Sequence, residues 1–283
     1  MADIKMEAEI IHEPLVSHAL RRALIYAGED GFVASMAQLL HARANASYDN
    51  ILWNTWFTAN SEESVITTPQ GNHVVLGIHG GGIYASPERF EKMYHASTHR
   101  TSEHGFSGQF GGKITKSEAH DALQGKLWDG TEIPVYSFEE FKRGVADLPM
   151  RYGVIMDMEM VQRSKSGYEV FDVLKDEPLM TFRAGGVEPL AKYLDKYRAR
   201  HNTKVMGNYH PYNRIDIDQL QTKIPFLAGN LGGVGSEDDD FNEYGYDCDY
   251  GMGGDAEMVG VGRYVAVAPR NVTTSLRYQS FEM

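Results

Sequence analysis

The sequence predicts an α/β or α+β fold: a single mixed-sheet domain with flanking helices and a long acidic, glycine-rich loop at about residues 229–258. Two apolar runs, Val74–Ile78 and Tyr152–Met156, have the length and composition of buried strands. Around them, apolar residues recur at the three- and four-residue spacing of amphipathic helices. The 283 residues are 42% hydrophobic, so the chain can bury a sizeable core, and no linker divides it.

The N-terminal part predicts two helices followed by a short strand. Residues 15–44 carry apolar side chains at helical spacing on both sides of a break at Gly28, which favours two core-packing helices. The strand Val65–Thr67 is expected between polar turns at 60–63 and 69–72.

The first apolar strand ends at a triple-glycine bend, Gly80–Gly82, and a helix is expected to start soon after it. Ser86 can supply the N-cap oxygen, Pro87 suits the first helical position, and Glu88 suits the first turn. A bend of this kind beside a helix N-terminus presents unpaired backbone N–H groups, a common arrangement for holding an anion.

The remaining elements follow from the same signals. A Ser-x-x-Glu pattern at Ser137 and Glu140 predicts a capped helix. The segment 167–173 is expected to pair back onto Tyr152–Met156 through the polar turn 163–166. The other predicted elements are helices over 117–127 and 189–200 and strands over 204–206, 262–268 and 273–278.

Composition excludes several classes of protein. A formal net charge of -12 argues against binding to duplex nucleic acid or to an anionic membrane, since both partners attract basic surfaces. No apolar run is long enough to cross a bilayer. The single Cys248 excludes an intramolecular disulfide and a multi-cysteine zinc site. The N-terminal residues lack the features of a signal peptide, so a cytoplasmic location is expected.

The glycine-rich bend is the first candidate binding site. Backbone N–H groups of Gly80, Gly81 and Gly82 could hold a phosphate or carboxylate, with Lys113 at the end of the second glycine cluster adding positive charge. The alternative is a tight strand-to-helix turn that needs glycine for its positive φ.

Two families resemble this stretch. His79 and the three glycines resemble the HGGG oxyanion loop of esterases, a resemblance that requires a G-x-S-x-G elbow; the segment 105–109 lacks its final glycine. Residues 78–113 also resemble the lid region of GHKL-type ATPases, which implies a nucleotide site. His79 stands where that family has its adenine-recognising aspartate, and the segment 36–41 lacks the family's E-x-x-x-N.

A carboxylate pair is the candidate metal site. Asp157 and Glu159 follow the second apolar strand, and residues two apart on an extended chain face the same side. Hard cations favour carboxylates, so a divalent metal is expected there, Mg²⁺ or Mn²⁺ rather than Zn²⁺. The alternative is an exposed strand end with two solvated acids.

These sites together lead to a functional hypothesis: an enzyme, hydrolase-like, that acts on a small anionic and possibly phosphorylated substrate with divalent-metal assistance. In it, His79 or His210 moves protons and Arg214 clamps the anion. A non-catalytic, self-assembling viral or shell-type subunit is the alternative that 29 glycines and 16 tyrosines favour. A degenerate nucleotide-binding module is the third hypothesis, and a homo-oligomer is a possible assembly.

Overall fold

Three β-sheets joined by helices make up the described part of this protein, whose structure is a computed structural model. The structure describes residues 6–13, 15–53, 57–81, 86–96, 112–164, 167–201, 205–209, 212, 221–223, 225–227, 248–251 and 262–269.

The strands in chain order are Met6–Glu13 (β1), Phe32–Val33 (β2), Phe57–Thr58 (β3), Ser61–Thr67 (β4), His73–His79 (β5), Gly112–Lys113 (β6), Val135–Ser137 (β7), Tyr152–Asp157 (β8), Gly167–Val170 (β9), Val205–Tyr209 (β10), Gln221–Lys223 (β11), Pro225–Leu227 (β12), Cys248–Gly251 (β13) and Gly262–Pro269 (β14). The helices are Val16–Ala27 (α1), Met36–Asn45 (α2), Pro87–Ala96 (α3), Lys116–Leu123 (α4), Phe138–Arg143 (α5), Met158–Arg163 (α6), Phe171–Leu174 (α7), Pro178–Ala184 (α8) and Val187–His201 (α9), with a 3-10 turn at Ile51–Trp53.

The largest sheet has the strand order β6-β11-β4-β5-β8-β7, and its strands are antiparallel except for the parallel pair β7 and β8. A second sheet has the order β3-β12-β13-β10-β9, and a third the order β1-β14-β2. In the third sheet, β1 pairs with β14 along its full length, so strands near the two ends of the chain are neighbours. The predicted α+β class is confirmed, with three sheets in place of the single sheet expected.

Helices cover these sheets and bury most of the apolar side chains. Helix α1 packs on β1 and β14, and α2 packs on α8 and α9. In the second interface Trp53 is buried and stacks on Tyr193 of α9, with ring centroids 6.0 Å apart. Burial of large aromatic surfaces of this kind is the main favourable term in folding.

Local capping signals in the sequence set several helix starts. The Ser137 hydroxyl accepts a hydrogen bond from the backbone N–H of Glu140, whose carboxylate accepts one from the backbone of Ser137, so the predicted capping box is confirmed. Ser86 likewise caps α3, because its hydroxyl accepts from the backbone N–H of Arg89. Gly28 ends α1 with a φ of 66°, as its position in the sequence indicated.

Two expectations about strands are wrong. Residues 60–63 were expected to form a turn, whereas Ser61–Glu63 belong to β4 and are buried. The segment Gly167–Val170 pairs with β10 in the second sheet, not with β8, because helix α6 intervenes and carries the chain away. Strand β13 accounts for the described part of the acidic region 229–258; the rest of that region, and the predicted strand over 273–278, lie outside the described residues.

Candidate functional site

His79, the predicted proton carrier, is a fully buried member of the core. A backbone carbonyl can only accept, so His79 Nε2–H donates to the Phe182 carbonyl (2.9 Å). Nδ1 therefore accepts from the Ser61 hydroxyl (2.7 Å), and that hydroxyl accepts from the backbone N–H of Met36 (2.9 Å). Burial lowers the pKa of His79 to about 4, although the Phe182 carbonyl and nearby Glu63 oppose the change. The imidazole is thus held neutral and away from solvent.

The glycine bend is occupied by other parts of the chain. The backbone N–H of Gly80 donates to the Asn60 carbonyl (3.0 Å), so it is not available to an anion. Gly80 and Gly81 have φ values of 75° and 131°, and a Cβ at either would collide with Met150 or Arg151. Positive φ and close packing therefore require glycine here. This matches the alternative to an anion site that the sequence left open, a tight turn.

The carboxylate pair lies at the other end of the same strands. In the pairing of β5 with β8, His79 is opposite Tyr152 and Val74 is opposite Asp157. Five residues of extended chain separate the two ends by roughly 17 Å. The expectation that the bend and the carboxylates open onto one pocket is therefore wrong.

Asp157 and Glu159 also do not share a strand face. Asp157 is the N-cap of α6, and its carboxylate accepts from the backbone N–H groups of Glu159 (2.9 Å) and Met160 (3.2 Å). Glu159 lies in the first turn of the helix and forms an exposed ion pair with Arg163 (2.9 Å). Throughout the described ranges, no three His, Cys, Asp or Glu side chains are grouped as a metal ion would need.

The other predicted site residues fall wholly or partly outside the described structure. Gly82, His210 and Arg214 lie outside the described residues. Lys113 ends strand β6, where it pairs with Gln221, and its side chain is not described.

A buried ionic network is the feature that sequence reasoning missed. Arg183 donates to the Glu63 carboxylate from Nε (2.8 Å) and from Nη2 (3.2 Å), and both side chains are fully buried. The Tyr212 hydroxyl donates to the same carboxylate (2.6 Å), and burial together with Glu63 raises the pKa of this phenol. The network joins β4 to α8 and to Tyr212. Arg183 and Tyr212 lie 120 and 149 residues from Glu63 in the sequence, so no local sequence pattern predicts the network.

The groove beside α2 is a cavity of about 840 Å³. Its walls are α2, the β1-β14-β2 sheet, the loop Leu148–Met150 and the end of α8. Among the described residues that line it, none is Asp, Glu, Lys, Arg or Cys. Met150 and Ile51 are large apolar side chains that stay more than half exposed at this groove.

Tyr152 lines the α2 groove and carries a buried hydroxyl. The residue is 3% exposed, and its hydroxyl has no hydrogen-bond partner within the part of the chain that the structure describes. Burial raises the pKa of this phenol, so it remains a protonated donor at all ordinary pH values. Buried hydroxyls nearly always have a partner, so an unpartnered one on a residue that lines a cavity needs an explanation.

Comparisons with known proteins show the fold. No family model matches the chain, and no curated protein matches it. A solved structure from Nanoarchaeota, described as accommodating massive sequence variation by the C-type lectin fold, is similar to it with a TM-score of 0.58 and 18% sequence identity. The similarity covers 92% of this chain and 97% of that chain. The chain therefore has a C-type lectin-like fold.

This fold likeness overturns the functional hypothesis drawn from the sequence. The structural neighbour points to a lectin-like fold and not to a metal-assisted hydrolase of small anions. The shell-subunit and nucleotide-module alternatives are not supported by it either. In the described part of the chain, no helix is both long and apolar enough to cross a membrane.

Proposed function

We propose that this protein is a non-catalytic recognition protein that binds a neutral, mostly apolar ligand in the α2 groove. The observation that carries the proposal is Tyr152, a residue that lines the groove and whose buried hydroxyl has no partner in the described structure. A cavity of about 840 Å³ has the size of a small-molecule site, and such sites are apolar with a few placed polar groups. The ligand is expected to present one hydrogen-bond acceptor to Tyr152.

The chemistry of the groove supports binding without catalysis. Its described lining has one imidazole, that of His41, and no carboxylate, amine or thiol. The Tyr152 phenol stays protonated, so it can donate a hydrogen bond but cannot act as a base. The C-type lectin-like fold supports the same conclusion. The Nanoarchaeal protein's description concerns tolerance of sequence variation, and surface variation on a fixed scaffold is the usual basis of changing recognition.

A neutral dye tests the proposal directly. Nile red is apolar, carries a carbonyl acceptor, and becomes fluorescent in apolar surroundings, so it can be titrated with the full chain. Ala42 lines the groove on α2, and Ala42→Trp would fill the space and weaken binding by at least about tenfold. Tyr152→Phe removes only the hydroxyl and should weaken binding about threefold to tenfold, the effect of one hydrogen bond.

Ala199→Trp is the matched control, because Ala199 is exposed on α9 and does not line the groove. It should bind the dye as the wild type does. Equal binding by the wild type and Ala42→Trp would show that the dye binds elsewhere, and the proposed function would fall.

Several expectations are not tested by the structure and stay predictions. These are a small anionic partner, a homo-oligomer, a divalent metal, a cytoplasmic location and the single-domain boundary. A small anion is the one for which a separate cavity provides support.

A further inference from the structure

Arg89, the third residue of α3, has a guanidinium that is only partly used. Its side chain is 5% exposed, and Nη1 donates to the Glu118 carboxylate of α4 (2.8 Å). Nε and Nη2 are buried and have no hydrogen-bond partner among the residues that the structure describes. Buried donors are almost always paired, so two such groups on one cation need an explanation.

The two unpartnered nitrogens, Nε and Nη2, lie on the same edge of the Arg89 guanidinium. Nε–H and one Nη2–H point the same way from the planar guanidinium and form its side-on fork. The spacing of this fork matches the two oxygens of a carboxylate, which arginine binds in a bidentate manner. Glu118 occupies the remaining nitrogen, so the fork is the edge of Arg89 that has no partner among the described residues.

Glu118 stays ionised and keeps its own contact. Burial works against its charge, but hydrogen bonds from Arg89 and Thr115 hold the pKa of Glu118 down at about 2. It also forms the capping box of α4 with Thr115. Glu118 is therefore fixed in place as the partner of Nη1.

Arg89 lines a cavity of about 540 Å³ between α3, α4 and the loop that follows α4. Lys92 and Lys126 add two exposed ammonium groups to its wall. The Arg89 guanidinium lies 5.8 Å from the ring centroid of Trp128, which is 41% exposed. The wall thus provides three cations and one flat aromatic surface.

Three carboxylates line the same cavity, and two of them are already engaged. Glu118 is bound to Arg89 and Thr115. Glu88 accepts from Ser86 (2.8 Å) and pairs with Arg21 of α1 (3.3 Å). Asp121 is the third. Among the described residues that line the cavity, Arg89 is the one whose buried side-chain nitrogens lack a hydrogen-bond acceptor.

We propose that this cavity binds a small carboxylate-bearing ligand, with the carboxylate on the side-on fork of Arg89 and an attached ring against Trp128. The cavity lies apart from the α2 groove and shares no lining residue with it, so this inference stands independently of the proposed function. The proposed position of the anionic ligand is therefore this cavity and not the glycine bend that the sequence suggested.

Isothermal titration of the full chain with sodium benzoate tests the inference, with sodium phosphate at equal ionic strength as the competing anion. Benzoate should bind more tightly than phosphate. Arg89→Lys keeps the charge but removes the fork, and it should weaken benzoate binding by at least about tenfold. Arg163→Lys is the matched control, since Arg163 also pairs with a carboxylate, that of Glu159, but neither residue lines the cavity, and it should bind as the wild type does.

A second variant keeps the test decisive if Arg89→Lys does not fold. Trp128 is well exposed, so Trp128→Leu should fold, and it should weaken benzoate binding about threefold to tenfold through loss of the ring contact. No binding by the wild type up to about 10 mM benzoate would overturn the inference, because a fork-bound carboxylate should bind at least that tightly. Tighter binding of phosphate, or wild-type affinity in Arg89→Lys and Trp128→Leu, would overturn it too.

Discussion

The buried His79 should make this protein lose stability in mild acid, and one substitution isolates the effect. An unfolded chain protonates this histidine near its ordinary pKa of 6.5, whereas the folded protein does so only near 4. Between these values the unfolded state binds more protons, so the free energy of unfolding falls as the pH falls. Each pKa unit is worth about 1.4 kcal/mol, so the full loss is about 3 kcal/mol, complete below pH 4.

Among the described groups with a lowered pKa, His79 accounts for the upper part of this window. Glu118, Glu88 and Asp129 have lowered pKa values in the folded state, so their contributions are lost only as the pH falls below the ordinary carboxyl range near 4. From pH 6.5 to 5 the loss assigned to His79 is about 2 kcal/mol.

Urea unfolding at pH 5, 5.5, 6 and 6.5 measures the slope. His79→Gln keeps a neutral hydrogen-bonding side chain that cannot be protonated, so it should be less stable overall but nearly flat across this range. His120→Gln is the control, because His120 is exposed on α4, and it should keep the wild-type slope. A His79→Gln protein with the wild-type slope would refute the assignment.

Three further substitutions test the buried ion pair, the close packing at Gly80 and the unpartnered hydroxyl of Tyr152, and each is measured by urea unfolding. Glu63→Gln removes the carboxylate charge that pairs with the buried Arg183 and should cost about 3–5 kcal/mol, against about 0–1 kcal/mol for exposed Glu159→Gln; similar costs would contradict the buried network. Gly80→Ala should destabilise more than Gly28→Ala, because both have positive φ but only Gly80 faces a collision; equal losses would leave φ alone as the cause. Tyr152→Phe should be neutral or slightly stabilising, since it removes an unpartnered buried hydroxyl, and a loss above about 1 kcal/mol would mean that the hydroxyl has a partner.

Elements that depend on neighbouring residues were predictable. Ser86 and Ser137 start helices because a side-chain oxygen meets an N–H three residues on, and that relation is visible in the sequence. The strand Val74–Ile78 and the helices around Gly28 follow from local periodicity in the same way. The α+β class rests on such elements and could be anticipated.

The site could not be predicted because its causes are distant in the chain. Glu63 looked like a turn residue by composition, whereas it is a buried strand residue whose partners, Arg183 and Tyr212, lie far along the sequence. The glycine bend has the same sequence whether it holds an anion or packs on Arg151, so the sequence could not decide between them. Tyr152 was assigned to a strand, but its unpartnered hydroxyl depends on what surrounds it in space.

A chain of hydrogen bonds connects two walls of the α2 groove, although none of its members lines the groove. The chain runs from Met36 through Ser61 and His79 to Phe182, so it connects the start of α2, strands β4 and β5, and helix α8. Helix α2 and the end of α8 are both walls of the groove. Breaking the middle of the chain should therefore loosen the groove as well as destabilise the fold.

Ser61→Ala tests this dependence, because it leaves the Met36 N–H and His79 Nδ1 without their shared partner. The loss of stability should be about 1–3 kcal/mol, and Nile red affinity should fall although Ser61 does not contact the ligand. Ser64→Ala is the control: Ser64 is equally buried on β4 and bonds to Glu62, outside the chain of hydrogen bonds. If Ser61→Ala binds the dye as tightly as Ser64→Ala does at matched stability, the walls are positioned by apolar packing alone, and the hydrogen-bonded chain only stabilises the fold.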